Sequence, residues 1–148
     1  MTRQTPVTPA QRWAGVGLIL ATGLVHLVEA PEYYAEVKYI GALFVLSMLG
    51  AAIAAVGIHR DESWGWGLGV LVAGGSFLAY LLSRTVGLPQ FREATWSQAL
   101  EPMGILSLLI EGGFIWVALR ALALKPALAR SGSPTQAHYD VRERERRG

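Results

Sequence analysis

Residues 39–58 read YIGALFVLSMLGAAIAAVGI, a stretch that contains no charged side chain. A helix of about 20 apolar residues is long enough to cross the ~30 Å hydrocarbon core of a bilayer. The stretch is followed by His59-Arg60-Asp61-Glu62, which is a short polar turn. The segment therefore predicts a transmembrane helix over residues 39–58.

Three further apolar stretches of comparable length flank this segment, at residues 13–30, 64–86 and 98–122. Pro31 sets the expected end of the first, because proline disfavours helical geometry at the residue before it. Pro102 falls in the first turn of the last, where a missing N–H costs little. Short connections make consecutive helices antiparallel neighbours. The sequence predicts an all-α integral membrane four-helix bundle with up-down-up-down topology.

The composition agrees with a membrane protein. Charged residues make up 16% of the chain, whereas soluble domains carry about 25%. There is no cysteine, which excludes disulfides, thiolate metal sites and cysteine nucleophiles.

We expect a flexible N-terminal tail over residues 1–12, a transmembrane domain over residues 13–123, and a cytoplasmic tail of basic and mixed charge over residues 124–148.

The distribution of Lys and Arg predicts the orientation, because cytoplasmic loops are enriched in both. With four crossings, the two termini and the 59–62 turn share one side of the membrane. That side holds ten of the thirteen basic residues, and the other side holds only Lys38, Arg84 and Arg92. Both termini are therefore expected in the cytoplasm, and the chain is expected in the inner (plasma) membrane as a multi-pass protein.

Several ionisable residues interrupt the apolar stretches, where charge is costly and marks functional candidates. Thr22, His26 and Glu29 are spaced to share one face of the first helix. The same spacing groups Ser76, Tyr80, Ser83 and Arg84 on the third helix, and Ser107 and Glu111 on the fourth. We predict a polar ionisable cluster in the outer half of the bundle, formed by His26, Glu29, Arg84, Glu101 and Glu111. Thr22, Ser76, Tyr80, Ser83 and Ser107 are the expected supporting residues.

Each of these residues also has a purely structural explanation. Arg84 with Glu29 or Glu101 would form an interhelical ion pair that only fixes packing. His26 would be a buried histidine hydrogen-bonded within the bundle. Glu111, deep in apolar surroundings, is expected to be neutral and to bond to Ser107 or a backbone carbonyl.

No cofactor or metal site is predicted. A single His with carboxylates lacks the second His or Cys that is usual at zinc and copper sites. His59 lies at the opposite membrane face from His26, so the two cannot ligate one haem. The arginines of the C-terminal tail alternate with glutamates, which argues against nucleic-acid binding and favours contact with anionic lipid headgroups.

Three motifs carry a resemblance to a family. They are His26-Leu-Val-Glu-Ala-Pro31, Ser83-Arg-Thr-Val-Gly-Leu-Pro89, and Glu101-Pro-Met-Gly-Ile-Leu-Ser107 with Glu111. Over residues 13–122 the chain resembles uncharacterised small four-helix integral membrane proteins of bacteria, and this resemblance implies the fold but no activity. Size and helix count are also similar to DoxX-type membrane proteins, without a specific motif match.

Three classes of function stay open. The favoured class is a non-enzymatic binding, carrier or accessory protein in which the polar cluster meets a small apolar or lipid ligand, or a partner membrane protein such as a second copy. The second is a membrane-embedded enzyme that uses His26 and Glu29 or Glu111 as acid–base groups on a lipid or isoprenoid; no catalytic residue is assigned. The third is a structural scaffold. A pocket that reaches Glu111 favours binding or catalysis, and a dry ion pair without a cavity favours the scaffold.

Overall fold

The computed structural model describes residues 7–90 and 102–131, with the side chains of 124–131 excepted. The described chain folds into four α-helices, which run α1 Pro9–Glu36, α2 Lys38–His59, α3 Ser63–Thr85 and α4 Pro102–Ser131. By length and composition all four contain a segment fit to cross a membrane. The predictions of an all-helical chain and of four membrane-length helices are confirmed.

Helix α1 begins at Pro9, within the segment expected to be a tail. The Thr8 hydroxyl accepts a hydrogen bond from the Gln11 N–H at 3.2 Å, and the Gln11 side chain accepts one from the Thr8 N–H at 3.0 Å. This reciprocal pair is a capping box, and Pro9 occupies the first helical position, where proline is favoured. These three residues start the helix four positions before Trp13.

Helix α1 also continues through Pro31 to Glu36, so the predicted end at Ala30 is wrong. A proline inside a helix removes one backbone hydrogen bond, which membrane helices tolerate when neighbouring helices support them. Beyond Pro31 the helix packs closely against α2, where Gly41 lies directly against the backbone of Tyr34. The Val37 N–H then closes the helix on the Tyr33 carbonyl at 2.9 Å.

Helix α4 extends to Ser131, beyond the predicted end at Leu122. Its last ten residues before Ser131 read ALALKPALAR, mostly strong helix formers. The apolar part that could span a membrane ends at Ala123. The predicted start at Gln98 lies outside the described residues.

Glycines set how closely the helices approach. Gly15 lies against Trp66 and Ile58, and Gly23 lies against Ala51, so α1 and α2 run in opposite directions. Helices α2 and α3 touch backbone to backbone at Gly57 and Gly65, and again where Gly50 meets Val72. Helices α3 and α4 meet at Gly69 with Phe114 and at Tyr80 with Gly104. Small residues that allow such contacts are the usual packing device of membrane helices.

The tightly packed core occupies the half of the bundle that holds the 60–62 turn. Trp66 and Phe114 stack there with ring centroids 6.2 Å apart, and both are fully buried. Ile19, Ala51, Ile58 and Ala118 complete this core. Many large apolar side chains face outward on all four helices, as expected of surfaces that meet lipid rather than water. The opposite half of the bundle holds a cavity.

Candidate functional site

A cavity of about 540 Å³ lies mainly in the half of the bundle opposite the packed core, and along α3 it reaches Leu68, which packs against that core. All four helices contribute to its wall, and along α3 the wall runs from Leu68 to Arg84, or about 24 Å at 1.5 Å per residue. Small-molecule sites commonly enclose about 300–1,000 Å³. The cavity is therefore large enough for a small ligand.

Four of the five predicted cluster residues, from three helices, line this one cavity: His26, Glu29, Arg84 and Glu111. The fifth, Glu101, lies outside the described residues, and so does any pairing between it and Arg84. Four of the five supporting residues also line the wall, namely Ser76, Tyr80, Ser83 and Ser107. The exception is Thr22, which is buried behind the wall.

Glu111 is 1% exposed and lies against the cavity from α4. The Ser107 hydroxyl donates a hydrogen bond to its Oε1 at 3.1 Å. A side chain on a helix leans toward the N-terminus of that helix, so this bond holds the carboxyl group one turn nearer the 102 end of α4. Glu29 on α1 lines the same cavity.

His26 is 6% exposed and is held from behind by its own helix. Its Nδ1 lies 2.8 Å from the carbonyl oxygen of Thr22. A carbonyl only accepts hydrogen bonds, so Nδ1 carries the hydrogen, and in the neutral ring Nε2 is an acceptor. Phe44 packs on the imidazole with ring centroids 4.8 Å apart. The buried Thr22 thus orients His26 through its backbone, while its own hydroxyl donates to the Leu18 carbonyl at 3.2 Å.

Arg84 is 8% exposed although it lies in the last turn of α3. Its guanidinium lies over the ring of Tyr80, 4.0 Å from the ring centroid. The Ser83 hydroxyl next to it donates to the Tyr80 carbonyl at 2.8 Å. Arg84 thus places a buried positive charge at the end of the cavity nearest Thr85.

The cavity opens sideways between α2 and α3. Leu46 on α2 is 63% exposed and Leu71 on α3 is 71% exposed, yet both line the cavity. Gly75 also lines it, and a Cβ built there would meet no atom within 4 Å. We call this opening the α2–α3 slot, bordered by Leu43, Leu46, Leu71 and Gly75.

Two contacts limit the height of the slot. At the core end, Gly50 and Val72 bring α2 and α3 together. At the other end, the Tyr39 hydroxyl donates a hydrogen bond to the Pro89 carbonyl. From Gly50 to Tyr39 the slot measures about 16 Å along α2 at 1.5 Å per residue.

Three polar or aromatic residues of the wall are absent from both the predicted cluster and its supporting residues: Ser47, Tyr33 and Phe44. Ser47 stands alone in an apolar helix and has no polar neighbour at helical spacing that would have marked it. Tyr33 stacks on Phe44 with ring centroids 4.6 Å apart. The signal for Tyr33 was its place on the same face of α1 as His26 and Glu29, whereas α2 offers no such neighbours for Ser47 or Phe44.

Comparisons of the chain with protein-family models, with curated protein sequences and with solved structures found no match. The family resemblance carried by the three motifs thus remains an interpretation of their pattern. Within the described ranges 7–90 and 102–131, no three His, Asp or Glu side chains are grouped so that they could hold a metal ion. The function is therefore inferred from the geometry of the cavity.

Proposed function

We propose that the chain is a non-enzymatic, multi-pass protein of the plasma membrane that binds a small ligand inside its helix bundle. In this proposal the helices cross the membrane in up-down-up-down order with both termini in the cytoplasm. The cavity then lies in the outer half of the bundle. Carrier and accessory subunit are both consistent with such a binding protein.

The observation that carries this proposal is that the cavity reaches Glu111. A structural scaffold would favour a closed core in this half of the bundle, because filled space stabilises a helix bundle through contacts between side chains. Instead, the buried polar side chains surround open space. Pockets that combine an apolar wall with a few convergent polar groups are the usual form of a ligand site.

The test is purification in native lipid, followed by mass spectrometry of the molecules that remain bound. We expect one class of small molecule to copurify with the protein in near-stoichiometric amount. Ala79→Phe adds bulk inside the cavity, and Ala42→Phe adds the same bulk on an exposed position outside it. The first variant should lose the molecule and the second should retain it. Folded protein that retains no specific molecule would support the scaffold instead.

A membrane-embedded enzyme is the second candidate, and one observation favours it. The orientation of His26 leaves Nε2 as the proton acceptor of the neutral ring, in the same cavity as the carboxyl groups of Glu29 and Glu111. This is the composition of a general acid–base site. His26→Gln and Glu111→Gln separate the candidates. If the protein only binds the copurifying molecule, both variants should still bind it as the unmodified protein does. If the protein is an enzyme, both variants should bind the molecule but no longer convert it.

A further inference from the structure

The polar side chains of the cavity form a layer at one depth. His26, Ser47, Ser76 and Glu111 come one from each helix, and each is nine or ten residues from the end of its helix on the cavity side. That distance corresponds to about 14 Å at 1.5 Å per residue. We call these four residues the polar layer.

The contacts between helices support the common depth. Gly50 meets Val72, which aligns Ser47 with the turn of Ser76 across the slot. The contacts of Gly69 with Phe114 and of Tyr80 with Gly104 align Ser76 with Ser107. Ser107 in turn holds the carboxyl group of Glu111. The four polar groups therefore lie within about one helical turn of each other.

Apolar side chains line the cavity on the core side of the polar layer, and leucines border the slot beside it. Leu68, Leu71 and Val72 form the wall on the core side, while Leu43 and Leu46 lead outward to the exposed surface. An exposed leucine surface on a membrane helix faces acyl chains. A molecule dissolved in the bilayer thus reaches the polar layer through the slot without passing through water.

The polar layer selects a neutral headgroup. A charged group at this depth is costly to desolvate, and Arg84, the buried cation of the cavity, lies in the last turn of α3 and not in the polar layer. A hydroxyl group donates one hydrogen bond and accepts others. It would donate to His26 Nε2 and accept from the hydroxyl groups of Ser47 or Ser76.

We propose that the ligand is a single-chain alcohol of the lipid phase, with its hydroxyl group in the polar layer and its chain extending through the α2–α3 slot into the bilayer. This inference rests on the proposed binding function and adds the ligand class and the route of access. The slot is bounded at Gly50–Val72 and at Tyr39–Pro89, so the chain leaves the cavity between these two contacts.

The test uses hexadecanol that carries a photoreactive diazirine either beside the hydroxyl group or at the end of the chain. The full-length protein is reconstituted in phosphatidylcholine vesicles, illuminated and mapped by peptide mass spectrometry. The diazirine beside the hydroxyl should label the polar layer, whereas the terminal diazirine, which lies in the bilayer, should not. Hexadecanoic acid with the same diazirine should label the polar layer at least about tenfold less, a difference of about 1.4 kcal/mol.

Gly75→Phe obstructs the slot, and Gly74→Phe is its matched control. A Cβ added at either position would meet no atom within 4 Å, but only Gly75 lines the cavity. Because both changes remove a helical glycine, both proteins should fold. Gly75→Phe should reduce labelling of the polar layer by about tenfold, and Gly74→Phe should leave it unchanged. Gly75→Leu, with a smaller side chain, should have an intermediate effect.

The outcomes separate this inference from the proposed function. If a molecule copurifies but Gly75→Phe binds it as the unmodified protein does, access through the slot is wrong and the binding function stands. Preferential labelling by the acid overturns the assignment of the headgroup. If the unmodified protein retains no molecule in native lipid and no probe labels the cavity, the proposed function itself fails.

Discussion

Two arginines make nearly the same aromatic contact in different surroundings. Arg84 lies 4.0 Å from the centroid of Tyr80 and is buried, whereas Arg120 lies 4.1 Å from the centroid of Trp116 and is exposed. A cation over an aromatic ring contributes about 2 kcal/mol when desolvated and about 0.5–1 kcal/mol when exposed. The pair therefore compares two arginines that share a cation–aromatic contact but differ in burial, and Arg84 also donates a hydrogen bond to Ser83 Oγ at 3.5 Å.

We expect Arg84→Ala to lower the free energy of unfolding by about 2 kcal/mol, and Arg120→Ala by less than about 1 kcal/mol. Arg84→Lys should recover part of the loss, since it keeps the charge but not the planar guanidinium group. Thermal unfolding in detergent measures all three variants. An Arg84→Ala protein as stable as the unmodified one would mean that Arg84 only anchors the end of α3.

Glu111 offers a second test at a single side chain. Glu111→Gln keeps the shape of the side chain and an oxygen that accepts from Ser107, so the free energy of unfolding should change by less than about 0.5 kcal/mol. Glu111→Ala removes the acceptor and leaves space behind, and should cost about 1–3 kcal/mol. Ser107→Ala, which removes only the donor, should fall between them. Strong destabilisation by Gln would instead show that an ionised Glu111 is paired with a cation.

The close contact between α2 and α3 depends on Gly57 and Gly65, because neither residue has a side chain that would hold the two backbones apart. A Cβ on Gly65 would lie 2.5 Å from the backbone of Gly57, whereas a Cβ on Gly67, on the same helix, would meet no atom within 4 Å. Backbone atoms cannot move aside as a flexible side chain can. The two positions therefore predict opposite effects of the same substitution.

Gly65→Ala should force α2 and α3 apart and destabilise the protein by about 1–3 kcal/mol. Gly67→Ala should stabilise it by up to about 1 kcal/mol, because alanine favours helix over glycine. Thermal unfolding of the two variants in the same detergent measures both effects. Equal stability of the two would mean that Gly57 and Gly65 are not in contact in the membrane.

The sequence was informative about helices because length and apolarity act locally. It was less informative about helix ends, where contacts with other helices decide the outcome. Helix α1 continues past Pro31 and packs there against α2, where Gly41 meets Tyr34, and no local rule contains that contact. The start at Pro9 was different, since Thr8, Pro9 and Gln11 together form a readable capping signal.

The candidate site, too, was predictable within single helices but not between them. Helical spacing groups His26 with Glu29, and Ser107 with Glu111, because residues three or four apart share a face. Spacing within one helix carries no information on the distance between helices, so the sequence could not reveal the cavity or the α2–α3 slot. Ser47 joined the polar layer only through the packing of α2 against the other helices.

The basic residues of the described helices are divided between the two ends of the bundle. Arg12, Arg60 and Arg120 lie at the end that holds the 60–62 turn, while Lys38 and Arg84 lie at the cavity end. Trp13 packs against His59 at the first of these ends, with ring centroids 5.3 Å apart. The sequence of the whole chain predicts which side of the membrane each end faces, because ten of its thirteen basic residues fall in the termini, near them or in the 59–62 turn.

We expect the end with ten basic residues to face the cytoplasm, because positively charged segments resist translocation. A reporter fused after Gly148 should be active only in its cytoplasmic form, and the same reporter inserted at Asp61 should behave alike. An insertion after Gln90, between α3 and α4, should be active only in its exported form. The three positions control for one another, since two crossings separate Gly148 from Asp61. An exported Gly148 with a cytoplasmic Gln90 would reverse the orientation and place the cavity in the inner half of the membrane.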